Sequence, residues 1–597
     1  MRKAAVILIV TMILTSLFVT NISYGGEVDQ EWTLIFYMGG DGNPDYISDA
    51  VDDDLEELRA VDIGDRVSII VLADQKEVGD TRLIEIKDGE LHEIPLSLVN
   101  ASWGDELDMS SHHTLRDYVG WAKENYQAER YLLNLWGHGG GWRGMNLEDH
   151  TRLTLPDMSL ALDNFYFDII GFDSCTMGMF EVYYQLRNNA EIVIAAEKEV
   201  PLAGWPYTDI LTVLKSEPGM NSTTLATVIV DEFVDWGSVY SGVSATLTAI
   251  ETSRLPISEL ELYSSELQFV VPLYYEEIKL AWEETDSYTP FPHPRDLYHF
   301  SMNVHHNVES IRLREAGYEL RDAINSSIVA HRVYSRNGDL ENAHGLGIYL
   351  PSESVASEYD ILDFGEHGWH AWLKRFTEPP EMIPDVEYEF SVLVQDEVIH
   401  LDFSHNLTDA SVDIDVYLEN ERMERYSFLE SQKSFNVSAS PGHYKIEFYM
   451  IYDESLVGHA VEELFTNTSF AIVGDIDTTD EILISIYNTR TGYWNNFTVY
   501  GGHYNIHLSV PGFCEPGDVL SATFLVDDTE VHRDVVVDGE YSVVDIQISE
   551  GIGYGFYLWI LISQAFIVMM MALSYYKRKR RTELRTTQDQ FNRFSFR

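Results

Sequence analysis

The chain predicts an α/β fold, a mostly parallel sheet flanked by helices, followed by all-β sandwich-like modules and one C-terminal transmembrane helix. Three observations carry this. Between Trp32 and Phe376, short apolar runs alternate with amphipathic ones. From residue 387 the pattern changes to short alternating segments separated by Gly, Asn and Asp, and near the end "GFYLWILISQAFIVMMMALSYY" (Gly555–Tyr576) is almost wholly apolar. Strand and helix in alternation argue for layers around a parallel sheet, and evenly spaced short strands argue for antiparallel sandwiches.

The first 25 residues hold Arg2 and Lys3, an apolar run from Ala4 to Val19, and the small residues Ser23 and Gly25. That is the plan of a secretory signal, so residues 1–25 are set aside from the fold. "WTLIFYM" (Trp32–Met38) and "RVSIIVLAD" (Arg66–Asp74) are continuous apolar runs and read as buried parallel strands. Between them, Val51, Leu55, Leu58 and Val61 recur at helical spacing beneath acidic neighbours, the mark of a surface helix. "TLRDYVGWAKENY" repeats the amphipathic pattern, and "RYLLNLW" (Arg130–Trp136) is a strand running into "GHGGGW". "DIIGF" (Asp168–Phe172) is the next strand, with "MGMFEVYYQLR" helical after it and "EIVIAAEK" (Glu191–Lys198) a further strand. Helical and strand-like pieces continue to "GLGIYLP" (Gly345–Pro351).

The stretch 377–386, inside the Pro- and Glu-rich "FTEPPEMIPDVEYE", reads as a linker. Residues 387–548 then read as antiparallel β, dividing near Gly474 into modules 387–473 and 474–549 that serve as stalks. The apolar run at 555–576 is long enough, at about 1.5 Å per residue, to cross about 30 Å of hydrocarbon. "KRKRR" follows at once and opens a basic tail, 577–597, which predicts a cytoplasmic side. The body between signal and span is therefore expected outside the cell, single-pass and membrane-held.

That body carries 29 basic against 96 acidic residues, a field that repels nucleic acid and favours basic partners. The chain has two cysteines, Cys175 and Cys514, in regions of different character. An external protein usually staples with paired cysteines, so this usage argues against a bridge and for Cys175 as a free thiol. Seven Asn-X-Ser/Thr sequons (Asn100, Asn221, Asn325, Asn406, Asn436, Asn467 and Asn496) fit a glycosylated surface.

Two strand ends could carry chemistry. "LNLWGHGGGWRG" presents His138 and "GFDSCTMG" presents Cys175, each after a predicted strand. Ligands of open parallel sheets bind beyond the carboxyl ends of the strands, where loops converge. A thiol attacks a carbonyl only with a base beside it or a lowered pKa; His138 and a helix starting just after Cys175 would supply both. Glycines 137, 139, 140 and 141 leave backbone N–H groups free to face an oxyanion.

These blocks, with "WTLIFYMGGDGN", "DMSSHHTLRDYVGWAKENY", "AAEKEVPLAGWPY" and "GLGIYLP" in the same order, resemble the clostripain-like cysteine peptidases, a family of caspase-like fold. The likeness spans roughly Trp32 to Phe376, giving a peptidase domain over 27–376. It implies His138 as general acid/base, Cys175 as nucleophile, and the backbone N–H groups of Gly139 and Cys175 as oxyanion hole. It also implies that Asp173, two before the thiol, receives a basic P1 side chain, with Arg preferred over Lys because guanidinium pairs bidentately with carboxylate. Ser174 and Thr176 depart from the residues usual beside the family's Cys, which bears on pocket shape. Arg143 and Arg152 lie where some relatives cut themselves. Glu197 ends a strand beside the cleft and is a second candidate for the basic pocket.

The chemistry requires no cofactor. Calcium is possible, since some relatives are calcium-stimulated and Asp41, Asn43 and Asp45 imitate an EF-hand start, although Tyr46 and Asp52 stand where Gly and Glu belong. Histidines 293, 299, 305 and 306 lack zinc-ligand spacing and read as packed side chains. The expected activity is a cell-surface endopeptidase acting on protein or peptide substrates with basic residues. Its rivals are an inactive adhesion or receptor protein on the same fold and a thiol ligase.

Overall fold

The computed structural model describes residues 30–41, 47–148, 151–238, 243–288, 294–336, 338–378, 386–395, 398–418, 421–440, 442–466, 470–488, 494–508, 519–526, 529–536 and 541–543. The signal, the Gly555–Tyr576 run, the basic tail, Cys514 and most of the linker lie outside these residues. Among the described residues no helix is long and apolar enough to cross a membrane. The chain divides into two compact units: one runs through Asp385 and takes in Tyr452–Val457, the other holds Val386–Ile451 and the residues from Gly458.

The first unit begins with β1 (Trp32–Gly39), α1 (Ser48–Arg59), β2 (Val67–Asp74), β3 (Arg82–Lys87) and β4 (Glu90–Ile94). It continues with α2 (His112–Asn125), β5 (Arg130–Gly139), β6 (Met145–Asn146), α3 (Leu155–Leu162), β7 (Phe167–Ser174), α4 (Phe180–Leu186) and β8 (Ala190–Ala195). Then come α5 (Tyr207–Ser216), α6 (Ser222–Trp236), β9 (Ala245–Glu251), α7 (Ile257–Glu284), β10 (Pro294–Asp296), α8 (Leu297–Asn307), α9 (Ile311–Ser327), β11 (Ile328–Tyr334), β12 (Gly347–Tyr349) and α10 (Gly368–Thr377).

The main sheet has the order β11-β9-β8-β7-β5-β1-β2-β3-β4, with β6 attached to β5. The five central strands, β8, β7, β5, β1 and β2, are parallel, and antiparallel strands close each side. Every residue of β1 is buried, which explains its unbroken apolar run: both faces of the sheet are covered. On one face Leu34, Phe36 and Met38 join a core with α1, α5 and α6. On the other, Tyr118 of α2 brings its hydroxyl to the carbonyls of Phe36 (3.0 Å) and Ile70 (2.9 Å).

The chain leaves β1 for β2 on one side and returns to β5, β7 and β8 on the other. Strand order therefore reverses between β1 and β5, where open α/β sheets place their ligands.

Three local expectations change. The strand expected to stop at Trp136 runs on through His138 to Gly139, because β6 folds back to pair with it. The helix expected directly after Cys175 starts only at Phe180. The "GLGIYLP" strand leaves the main sheet and pairs β10 in a separate two-stranded ladder.

In the second unit, β13 (Tyr388–Gln395), β14 (Val398–His405), β15 (Ser411–Leu418), β16 (Glu421–Phe428), β17 (Gln432–Ser438), β18 (Gly442–Tyr452) and β19 (Ser455–Thr466) form sheets β13-β14-β17 and β16-β15-β18-β19. Phe403 of β14 meets Phe448 of β18 at 6.0 Å between ring centroids, so the inner faces of the two sheets share a core. A further sheet joins β20 (Phe470–Asn488), β21 (Trp494–Leu508), β22 (Val519–Val526), β23 (Thr529–Val536) and β24 (Tyr541–Val543). The break placed near Gly474 falls inside β20, where Gly474 pairs with Tyr504. A register shift in β20 lies close by, between Ile476 and Glu481. The change of sheet comes earlier, between β19 and β20.

Candidate active site

β5 and β7 lie side by side in parallel, and their last paired rung sets Gly137 opposite Ser174. His138, still in β5, and Cys175, the first residue past β7, come next, so the ladder register brings the imidazole and the thiol to adjacent strand ends. Both are half-buried.

Two glycines make this approach feasible. Gly137 has φ +142°, and a Cβ there would meet the Gly39 carbonyl oxygen at 2.9 Å. At Gly139 a Cβ would overlap the carbonyl oxygen of Cys175. A side chain at Gly139 would push the ends of β5 and β7 apart, and one at Gly137 would press on Leu147 and the end of β1. Ser174 adds a buried tie, its Oγ donating to the Gly137 carbonyl at 2.8 Å.

After Cys175 the chain makes a strained turn. Thr176 sits at φ +58°, a left-handed conformation unusual for a β-branched residue. It is held by its surroundings. Thr176 N–H donates to the Lys198 carbonyl (3.0 Å), Gly178 N–H to that of Ala196 (2.8 Å), and the Gly178 carbonyl accepts from Gly347 N–H (2.9 Å).

The thiol does not have the lowered pKa expected from a helix start. α4 begins five residues later, and Cys175 Sγ instead lies 3.7 Å from the Val200 carbonyl oxygen. Burial pushes the thiol up, and the negative charges of Glu199 and Asp173 add to the shift. Cys175 rests as a protonated thiol in this conformation, and its activation falls to a base.

Asp173 is buried near the end of β7. Its Oδ2 accepts from Trp205 N–H (2.8 Å) and Tyr207 O–H (2.6 Å). Gly204, at φ +58°, lies so close that a Cβ would meet that oxygen at 2.6 Å. A second carboxyl, Asp54 of α1, is buried nearby and accepts from Trp136 Nε1 at 2.6 Å. Burial, then the charge of Asp173, pushes Asp54 strongly up, while the two hydrogen bonds limit the rise at Asp173. At neutral pH Asp54 keeps the proton and Asp173 the charge. Asp54 had looked like one acid in an acidic helix, yet its spacing from Val51 and Leu58, three and four residues, places it on the apolar stripe. That spacing was the signal that could have found it.

Glu197 is not open to a substrate. It is 1% exposed, and its Oε2 accepts from Gly345 N–H at 2.9 Å.

Among the described residues the clusters with metal-ligand spacing are carboxylates: Asp41, Asp74 and Glu148, whose donor atoms lie within 4.8 Å of one another, and Asp74 with Asp80 and Glu106. Asp74 is fully buried; Oδ1 accepts from the Thr81 hydroxyl, and Oδ2 has no hydrogen-bond partner. Burial pushes Asp74 to about 7 and Glu148 to about 8, each against acidic neighbours. An orphaned buried oxygen among three acids fits a hard cation. Of the EF-hand imitation, Asn43, Asp45 and Tyr46 lie outside the described residues, Asp41 belongs to the first of these clusters, and Asp52 is in helix α1, where it pairs with Arg82 at 2.8 Å. His299, His305 and His306 sit in α8 and form none of these clusters, and His293 lies outside the described residues.

The fold and strand ends define a class: an α/β domain with a thiol and an imidazole on neighbouring parallel strands at the carboxyl edge of the sheet. Residues 36–272 match the model of the clostripain family, Peptidase_C11. The chain is similar to clostripain of Hathewaya histolytica, 24% identical over an alignment of 237 residues, with 32% of this chain and 44% of the relative covered. The match thus spans less than half of that relative's length. Among solved structures it is similar to a secreted C11 cysteine protease from Bacteroides thetaiotaomicron in complex with an irreversible peptide inhibitor, at 20% identity and TM-score 0.45, covering 58% of this chain and 99% of that one. An inactive zymogen C11 protease from Parabacteroides distasonis is similar at 18% identity and TM-score 0.42, covering 58% and 98%.

Proposed function

We propose that the protein is a cysteine endopeptidase that cleaves after basic residues, Arg above Lys, and works at the cell surface. The observation that carries this reading is the β5–β7 register, which makes His138 and Cys175 neighbours. On this reading a substrate carbonyl displaces the Val200 contact and His138 takes the thiol proton as Cys175 attacks. The developing oxyanion is received by the N–H groups of Gly139 and Cys175. His138 returns the proton to the leaving amine, and water attacks the acyl-enzyme with His138 as base. Asp173, charged and fixed by Trp205 and Tyr207, attracts the P1 guanidinium.

In this proposal residues 1–25 export the chain, 555–576 anchor it, and the β-rich modules hold the catalytic domain off the membrane. One experiment tests both parts. Full-length chain is expressed, and intact cells, washed membranes and the soluble fraction are assayed with Arg, Lys and Ala fluorogenic peptides. Arg-selective release on intact cells and membranes, falling at least about 10³-fold in Cys175→Ala, is expected. Asp173→Asn should abolish the Arg preference. Equal signal from wild type and Cys175→Ala overturns the peptidase and leaves the adhesion reading. Ligated products with an added amine would favour the ligase.

Calcium is a structural option in this scheme, with Asp41, Asp74 and Glu148 as the residues that would hold it; when bound it supplies charge that offsets three clustered carboxylates. Added calcium should raise the melting temperature of the wild type and leave Asp74→Asn unmoved. An equal response in both overturns the assignment.

A further inference from the structure

The loop that bears Cys175 is fixed by the segment Ala196–Lys198, whose outer carbonyls take the N–H groups of Gly178 and Thr176. Between those two residues Glu197 turns into the interior and reaches the loop before β12 through Gly345 N–H. Gly345 has φ +93°, and a Cβ there would meet Thr248 Oγ1 at 2.7 Å, so this contact is made by a backbone that only glycine fits. Two residues on, Gly347 N–H binds the Gly178 carbonyl, while Gly347 itself pairs with Asp296 in the β10–β12 ladder. Nucleophile loop, Glu197 segment and 345–347 loop are thus one hydrogen-bonded circuit.

The circuit contains two fully buried carboxyls, Glu197 (1% exposed) and Asp296 (0%), brought together by consecutive amides: His344 N–H binds Asp296 (2.7 Å) and Gly345 N–H binds Glu197 (2.9 Å). Asp296 is committed as an acceptor: Oδ1 takes His299 N–H (2.6 Å), Oδ2 takes His344 N–H (2.7 Å), and His344 Nδ1 lies 3.4 Å from Oδ1. Glu197 Oε1, in contrast, is buried with no donor aimed at it. Two carboxylates cannot face each other in an interior unless one carries a proton, and the unserved oxygen is the place for it. With that proton, Glu197 donates to Asp296 and every polar atom of the pair is satisfied. Burial and the charge of Asp296 both favour the neutral acid at Glu197, while the bonds to His344 and His299 keep Asp296 ionised.

We propose that Glu197 is a positioning residue for the Cys175 nucleophile, acting as a neutral carboxylic acid whose bond to Asp296 clamps the Ala196–Lys198 segment against the 345–347 loop. The proposal rests on the reading of Cys175 as the nucleophile. The balance is one proton: its loss from Glu197 turns an attractive carboxyl–carboxylate bond into repulsion between two buried anions and loosens Thr176 and Gly178. The groups facing the pair are His344 and Tyr288 from loops, His299 from α8, His331 from β11 and Tyr183 from α4, with Asp286 acting on Tyr288 and His299. Burial holds His299 below the ordinary imidazole range, and the Cys175 thiol itself titrates on the alkaline side, so the event assigned to Glu197 is the alkaline one that wild type shows and Glu197→Gln lacks.

The test compares wild type, Glu197→Gln and Glu197→Ala as full-length chains, reading the rate of Cys175 alkylation by iodoacetamide and kcat and KM on an Arg peptide across pH. Gln keeps a donor toward Asp296 and an acceptor toward Gly345 and cannot titrate. Ala is expected to lower kcat about tenfold with KM within twofold. Gln is expected to restore most of that loss and to abolish an alkaline fall in activity that wild type shows. A Gln variant as impaired as Ala, or one that raises KM for Arg peptides alone, overturns the proposal; so does an alkaline limb identical to wild type. If no variant cleaves peptides, the peptidase reading fails by itself, and the pH dependence of alkylation still decides whether Glu197 positions the thiol.

Discussion

Thr176 holds a conformation that its own side chain opposes, and three backbone bonds, one at Thr176 and two at Gly178, supply the restraint. A β-branched residue at φ +58° costs on the order of 1–2 kcal/mol relative to glycine. Thr176→Gly is therefore expected to raise the denaturant midpoint by an amount equivalent to about 1 kcal/mol, while a freer turn lowers the rate of thiol alkylation toward substrate-like reagents. A loss of stability in that variant would mean the buried Thr side chain contributes more than its backbone costs. Sequence patterns disclosed Cys175 and His138 because small residues and apolar strands frame them. They did not disclose the strain at Thr176, which comes from hydrogen bonds to residues 18 or more positions away. Nor did they disclose the raised thiol pKa, which comes from burial beneath the 196–200 segment.

At the scale of elements, the β5 end is where local reading fell short. "GHGGGW" reads as a loop, and glycines do weaken strands. Here β6 returns antiparallel and pairs Asn146 with His138, so the imidazole projects from a strand braced on both edges. The glycines are steric clearances. Gly139→Ala places a methyl into the Cys175 carbonyl, so the expected result is a loss of about 2–3 kcal/mol by thermal or urea melting together with a slowed alkylation rate. A variant that melts like wild type and alkylates normally would show that the two strand ends are more loosely joined than the geometry states. The helix α1, by contrast, was legible in register and face; only the burial of Asp54 was hidden, since an acid at an apolar-stripe position looks like a neighbour of the acids around it.

For the whole molecule, the mostly parallel sheet and the later β sheets followed from periodicity, while the placement of β12 outside the main sheet did not. A three-residue strand carries too little pattern to name its partner. The interior also stores acids in their neutral form. Burial holds Asp54 well above the carboxylate range and pushes Glu181 to about 7. Unfolded carboxyls titrate near 4. Between that pH and the folded values the native chain binds more protons than the unfolded one, so stability falls as pH rises, by at most about 1.4 kcal/mol per pH unit for each such group within its window. The melting temperature is expected to be highest in mildly acidic buffer and to decline toward pH 9, with a shallower decline in Asp54→Asn. A rise across the same interval, or an unchanged slope in the variant, would contradict the assignment of protons to these groups.

The contact between Cys175 Sγ and the Val200 carbonyl has one more consequence. Peroxide and disulfides react with thiolate far faster than with thiol, so a sulfur kept protonated and capped by a carbonyl ages slowly. For the peptidase proposed to work at the cell surface, away from glutathione, shelf life would matter as much as speed. The idle site would then act as its own preservative, uncapping the sulfur only when a peptide carbonyl arrives to take the place of Val200.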